Sequence, residues 1–405
     1  MNQLFQTSQH ISTITDINEL ESKSTNNASQ FTNTYQLFCN IAKENPNAPA
    51  LTFLPSGALD IEPVKLNRSE LLEHINQTAN MFRELGIGPT DVVSFLLPNL
   101  LEAQFTLWGA QAAGIANPIN FLLGPEQIIE ICNSAKTKVL VALGPHPALD
   151  IWQKVEALKG QVNTLEKIVI VGGIPESATD TISYHQTVKQ FPKDKLTFER
   201  NIKSSDIASL FHTGGTTGTP KLAPHTHGNE IAAAQSTAQM YGFGDQDVLI
   251  NGLPLFHVAA PILLTLAPLG AGTEVLIPSP AGLRDPSILE NHWKIAEKYN
   301  VTIMGGVPTS ISDLTRTPIR DANISNIKFA IVGGAPLTAG VANRFKAHTN
   351  LNLHQVYGMT ETCGAIAITP LHCQPVDGSV GMRLPDVQVK TVKLNVDGDW
   401  LADCN

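Results

Sequence analysis

The chain has 405 residues, of which 42% are hydrophobic and 16% charged, a globular composition that excludes disordered and fibrous classes. A formal net charge of -9 without a basic cluster argues against a general nucleic-acid binder. The five cysteines (Cys39, Cys132, Cys363, Cys373, Cys404) are odd in number and form no C-x-x-C pair, so they read as free thiols of a reducing compartment rather than a disulfide framework or zinc site.

Residues 1–30 are rich in Ser, Thr, Asn and Gln, with no signal-peptide core, and read as a mobile polar leader with some helix near Asp16 to Lys23. A helix is expected to start after Asn33 and to end before Pro46. A second runs from Leu66 to Leu85, with Leu71, Leu72, Ile75, Ala79 and Phe82 at helical spacing and Gly86 as its stop. Strands and helices then alternate: strand Val92–Leu97, helix Asn99–Ala113, strand Ile115–Ile119, helix Glu126–Ala135, strand Lys138–Leu143, helix Trp152–Lys159 and strand Lys167–Val171.

The alternation resumes with strand Ala208–Phe211, helix Asn229–Tyr241 and strand Val248–Leu253. The apolar stretch Val258–Pro278 carries Pro261, Pro268 and Glu274, which suits a buried helix followed by a strand better than a membrane span. Helix Ser287–Tyr299, strand Thr302–Met304, strand Phe329–Val332 and helix Ala339–Lys346 follow. Short apolar strands between amphipathic helices predict an α/β fold, with mostly parallel sheets covered by helices. Val387 to Val392 alternates with period two and reads as a half-exposed strand in a small β subdomain beginning near residue 378.

The most informative segment is Phe211-His212-Thr213-Gly214-Gly215-Thr216-Thr217-Gly218-Thr219-Pro220-Lys221. It places three glycines, four threonines and one lysine directly after a predicted strand. Glycines allow close backbone approach, consecutive N–H groups form an anion-binding nest, and Lys221 adds a point charge, so the segment predicts phosphate binding. The lysine spacing fails the Walker template.

This loop resembles the phosphate-binding signature of the adenylate-forming (AMP-binding) superfamily. It departs from that signature at His212 (usually aromatic), Gly214 (usually Ser or Thr) and Leu222 (usually Gly). Further segments resemble the family in the expected order: Leu253-Pro254-Leu255-Phe256-His257, Gly333-Gly334-Ala335-Pro336-Leu337, and Gln355-Val356-Tyr357-Gly358-Met359-Thr360-Glu361-Thr362. Weaker echoes lie between Gly86 and Asn120 and from Gly378 to Pro385, so the resemblance covers roughly residues 33–400.

The resemblance implies the large N-terminal domain of an acyl-CoA synthetase, with two α/β sheet subdomains over residues 31–377 and the start of a β subdomain over 378–405. It implies ATP, Mg2+ and CoA as partners of a carboxylic acid, with a lean towards a medium- or long-chain fatty acid. By the same analogy, Thr213, Gly214, Gly215, Thr216, Thr217, Gly218 and Lys221 hold phosphates, and Gly334, Ala335 and Pro336 line an adenine pocket. Gln355 to Thr360 contacts the nucleotide, with Tyr357 stacked on adenine and Thr360 at the α-phosphate. Thr216 and Glu361 bind magnesium. His257 lies by the reacting carboxylate, and Lys221, His257, Thr360 and Glu361 form the catalytic set.

The family's ribose aspartate, hinge and lysine-bearing small domain are not recognised before Asn405, so impaired activity is expected of the chain alone. Alternatives are a ligase that loads a carrier protein and a non-catalytic nucleotide or acyl-ligand binding module. A cytoplasmic location is expected, with peripheral membrane contact left open and no nucleic acid.

Overall fold

The computed structural model describes residues 5, 10–24, 31–176, 178–213, 220–396 and 398–404. Two sheets organise it. In the seven-stranded sheet the order is Thr181–Ser183, Lys167–Val171, Thr137–Leu143, Val92–Leu96, Ile115–Pro118, Ile207–Thr213 and Lys221–Thr226. All neighbours are parallel except the last two strands, which form an antiparallel hairpin. In the nine-stranded sheet a parallel core of Pro49–Phe53, Glu274–Ile277, Val248–Ile250, Ile303–Gly306, Phe329–Gly333 and Leu353–Met359 is flanked by antiparallel strands. These are Val64–Asn67 at one edge, and Gly364–Ile368 then Met382–Arg383 at the other.

Side-chain alternation explains how the sheets stack. Val93, Phe95, Val139, Val141 and Val169 point into one large core, whereas Leu96, Leu140, Ala142, Ile168 and Ile170 point into a separate outer one. The nine-stranded sheet does the same: Leu249, Val275, Ile303, Phe329 and Ile331 enter the shared core, while Ile250, Leu276, Met304, Ala330 and Val332 enter an outer core. Successive residues of a strand face opposite sides, so a continuous apolar run is what two covered faces require. The result is a layered arrangement with helices outside each sheet and a helical layer between them.

The central layer contains helices Thr34–Glu44, Arg68–Glu84, Leu101–Ala113 and His227–Tyr241. Of helix Leu101–Ala113, every residue but Glu102 is buried, which fits an apolar helix enclosed on all sides. Local signals set its neighbours: Asn67 and Glu70 form a reciprocal capping box at the start of Arg68–Glu84, and Gly86 takes φ +87 just past its end. The apolar segment forms a π-helix over Ala259–Leu266, running into helix Ala267–Ala271 and strand Glu274–Ile277. Pro268 cannot supply the N–H that an α-helix would direct at Leu264, and Asn251 Nδ2 donates to the Leu264 and Ala260 carbonyls instead, at 3.3 and 3.1 Å. Among the described residues no helix is long and apolar enough to cross a membrane.

Two expectations need revision. Residues 387–391 form no strand; Asp386 takes φ +61, Val387 N–H closes a turn onto the Leu384 carbonyl, and pairing starts only at Val392–Leu394, against Trp400–Asp403. Alternation there reflects exposure without a partner strand. Met382–Arg383 belongs to the edge of the nine-stranded sheet, so the separate two-stranded sheet begins later than residue 378.

The polar N-terminal stretch includes helix Ile14–Ser24, which packs on the fold: Ile11 and Ile17 are buried, and Arg383 forks onto both Glu21 oxygens while donating to Asn18 Oδ1 at 2.8 Å. The Asp386 N–H also donates to Glu21, at 2.7 Å. The Arg383 guanidinium holds the Glu21 carboxyl below its ordinary range. A depressed carboxylate contributes stability that is complete above its unfolded pKa and is lost as pH falls through its folded value. Glu21→Ala is therefore expected to cost about 1 kcal/mol of docking at neutral pH. Amide exchange over residues 14–24 should accelerate in the variant at pH 7 and converge with that of the parent chain in acid; equal exchange at pH 7 would refute the clasp.

Candidate active site

Strands Ile207–Thr213 and Lys221–Thr226 pair with Thr213 opposite Lys221, so the Gly/Thr segment is the connection of a hairpin at the sheet edge. Gly214, Gly215, Thr216, Thr217 and Gly218 lie outside the described residues. Thr213 is half-buried at the mouth of the hairpin, and Lys221 is exposed across from it. Two departures from the family pattern have local reasons. Leu222 packs beside Val92 and Ile115 in a small cluster, so a side chain is accommodated there. His212 Nε2 accepts the Asn120 N–H at 3.0 Å, and burial pushes its pKa down to about 4, which keeps the ring neutral at pH 7.

The second element comes from the other sheet. Strand Leu353–Met359 ends in a tight 3-10 turn, Thr360–Thr362, followed by Cys363 at φ +56 and Gly364 at φ +109. Thr362 Oγ1 closes the turn by accepting the Met359 N–H at 3.3 Å and donating to the Met359 carbonyl at 3.0 Å. The register shifts between Tyr357 and Gly358, and a Cβ at Gly358 would come within 1.5 Å of the Gly364 carbonyl oxygen, so only glycine fits. This bulge leaves Tyr357 half-exposed and Glu361 exposed. The turn packs against both strands of the hairpin, and the Thr360 carbonyl is held by His225, four residues along the strand from Lys221.

Parallel pairing aligns Gly333 with Val356 and Val332 with Gln355. The segment Gly334-Ala335-Pro336 therefore emerges, exposed, beside the start of the Tyr357 segment. A Cβ at Gly333 would clash with Val356, and Gly334 needs its φ of +79 to turn away from the strand. In α/β sheets, ligands bind outside the carboxyl ends of parallel strands, which is where these residues lie. Gln355 donates to the Ser379 carbonyl at 2.8 Å, so its side chain ties down the chain that follows rather than pointing outward.

His257 completes the group. Its Nδ1 accepts the Ala259 N–H at 3.3 Å, and a Cβ at Gly334 would lie 3.7 Å from its Nε2. It is open to solvent on its cavity side but surrounded by protein elsewhere, and that enclosure lowers its pKa. Two cavities meet at this ring. One, of about 30 Å3, is enclosed and apolar, bounded by Tyr241, Leu263, Leu264, Ile331 and Val356. The other, of about 800 Å3, is larger and mostly apolar, and its lining includes Asn99, Phe121, Arg284, Ser310 and Asp313. Leu263 and Leu264 face the small pocket, and helix Pro308–Leu314 faces the large one.

Sequence reasoning missed several participants. Tyr241 closes the small pocket, and its buried hydroxyl has no hydrogen-bond partner among the described residues. His225 donates from Nε2 to the Thr360 carbonyl at 2.6 Å, joining residues that no local pattern relates. Among the described residues no group of three or more His, Cys, Asp or Glu could cage a metal. One exposed carboxylate, Glu361, suits a magnesium ion that keeps its waters and phosphate ligands.

Comparison with known proteins fits this geometry. The family model "AMP-binding enzyme" matches residues 38–399. Marinolic acid–CoA ligase of Pseudoalteromonas sp. is 32% identical over 98% of the chain, and the long-chain-fatty-acid–CoA ligase FadD13 of Mycobacterium tuberculosis is 26% identical over 75%. The chain spans about three-fifths of the length of these relatives, 61% and 57%. The anthranilate CoA ligase AuaEII, solved with anthranoyl-AMP, superposes with a TM-score of 0.80 at 21% identity, covering 93% of this chain and 68% of that one. The inhibitor-bound N-terminal domain of FACL13 from Mycobacterium tuberculosis gives 0.76 at 22% identity, covering 92% and 86%. These two likenesses establish the shared fold. With the family model spanning most of its length, the chain belongs to the AMP-binding enzymes.

Proposed function

We propose that the chain forms the nucleotide- and acid-binding part of an acyl-CoA ligase. The observation that carries this reading is the packing of the Thr360–Thr362 turn, from one sheet, against both strands of the Ile207–Thr213 and Lys221–Thr226 hairpin, from the other, with the Thr360 carbonyl on His225. ATP would lie across that junction. Lys221 and the Thr213–Gly218 segment would hold its outer phosphates, Thr360 its α-phosphate, and Tyr357 its base, against Gly334-Ala335-Pro336. Glu361, with Thr216, would hold Mg2+, which neutralises phosphate charge when bound.

A carboxylate oxygen of the acid attacks the α-phosphorus, the bond to the bridging oxygen of pyrophosphate breaks, and acyl-adenylate forms. A thiolate sulfur then attacks the acyl carbon and AMP leaves. The work of these residues is positioning and charge stabilisation rather than covalent chemistry. His257, neutral at pH 7 because its pKa is lowered, stands where the acid's carboxyl would enter without adding a fixed charge.

The two cavities divide the other substrates. The enclosed pocket accepts the apolar end of the acid, and the larger cavity gives a pantetheine thiol its approach to the same ring. At about 30 Å3 the pocket holds roughly one methylene as it stands, so a medium or long fatty tail requires the Leu263 and Leu264 side chains to swing aside.

Calorimetry with Mg-ATP and with non-hydrolysable acyl-adenylate mimics tests the reading. Lys221→Ala is expected to weaken Mg-ATP binding by about tenfold or more, as loss of a charge-assisted contact does. Tyr357→Ala should cost about 1–3 kcal/mol, the range of base–aromatic stacking. Binding by both variants at the parent affinity would sink the proposed nucleotide site.

Tail length gives a separate check. Affinity for the mimics should rise about fourfold per methylene until the pocket is full. Leu264→Ala should then move the cut-off to longer tails, and an unchanged length profile would remove this pocket from the acid site.

A further inference from the structure

The buried polar groups behind the hairpin are not absorbed by the reading above. Strand Lys221–Thr226 carries His225 on its inner face, 1% exposed. Its Nε2 donates to the Thr360 carbonyl at 2.6 Å, and its ring packs against Phe211, centroids 4.9 Å apart. With Nε2 carrying the proton, Nδ1 presents a lone pair inside the protein. That atom has no hydrogen-bond partner among the described residues, and the polar group facing it is Glu230 Oε1, 4.0 Å away and also without a partner.

Glu230 sits on helix His227–Tyr241 and is fully buried. Its second oxygen accepts from Gln111 Nε2 at 2.8 Å, and Gln111 also donates to Ser209 Oγ and accepts from Thr34 Oγ1. The charged and titratable groups around the pair are Glu361 and Cys363, on the turn side. No cation faces Glu230 closely enough, among the described residues, to form an ion pair other than His225 itself. An isolated buried carboxylate is costly, whereas a carboxylic acid is a donor and Nδ1 is an acceptor that lacks one.

We infer that Glu230 and His225 form a positioning pair: with the 4.0 Å gap closed to hydrogen-bond length, the Glu230 carboxylic acid donates to His225 Nδ1, fixing the tautomer whose Nε2–H holds the Thr360 carbonyl against the hairpin. The pair sets the distance between the Thr360–Glu361 turn and strand Lys221–Thr226, two pieces that belong to different sheets. This deepens the nucleotide-site reading and rests on it for its functional consequence. Neither residue touches substrate.

Side-chain replacements separate positioning from packing. His225→Gln keeps a donor near the Nε2 position, and His225→Leu removes it while filling similar space. Glu230→Gln keeps a donor towards Nδ1. Mg-ATP affinity, measured by calorimetry on the whole chain, is expected to fall about threefold to tenfold in His225→Leu, the worth of one buried hydrogen bond. His225→Gln and Glu230→Gln should stay within about twofold of the parent, with thermal unfolding reporting that all three fold.

A His225→Leu chain that binds as the parent does, or a His225→Gln chain as weak as His225→Leu, overturns the proposal. Absence of Mg-ATP binding by the parent would instead overturn the nucleotide reading. Amide exchange over residues 357–363 then decides the pair alone: faster exchange in His225→Leu, restored in His225→Gln, supports it, and equal exchange in both variants and the parent refutes it.

Discussion

Everything in this fold depends on strands that must bury both faces. A parallel strand has no solvated side, so each residue is committed to one of two cores by whether its position is odd or even. Val93 and Phe95 help build the core between the sheets, and Leu96 builds the one outside. The central layer of helices is shared property: His227–Tyr241 packs on strands of both sheets, and Leu101–Ala113 lies in the same continuous core. Two sheets glued to the same helices cannot slide independently, which gives a site assembled between them a fixed span.

The candidate site uses that rigidity at its least regular points. Each contributing segment leaves its strand through a feature that only particular residues allow, such as Gly334 at positive φ or Gly358 beneath the Gly364 carbonyl. The side chains that would meet a ligand stand at the ends of strands or in the turns just beyond them, while the backbone behind them is pinned. Thr360 shows both halves: its side chain is free of the turn's internal bonds, and its carbonyl is held by His225.

Much of the architecture was legible because burial writes itself into short apolar runs and helix stops. Val92–Leu96, Lys167–Val171 and Phe329–Gly333 needed no context, and Gly86 marked a helix end correctly. Strand Lys221–Thr226 was hidden because Pro224 argues against a strand, yet it lies at a sheet edge, where a missing N–H is tolerated. Val387 to Val392 misled in the opposite way, since alternation records which side is wet and says nothing about a neighbour. The segments of the candidate site could be read one by one. Their meeting could not, because His225 and Thr360 are 135 residues apart and their bond depends on how two sheets stack.

The odd–even commitment of the strands also restricts how such a chain can diversify. A single inserted residue in Val92–Leu96 or Phe329–Gly333 would exchange every later side chain between two differently shaped cores, so length variation inside the strands is closed to it. The Gly334 bend and the Thr360 turn are as closed to it as the strands, because their backbone admits few residues. Variation in length is left to the exposed connections away from the candidate site, and variation in what is bound is left to side-chain exchange around a constant frame.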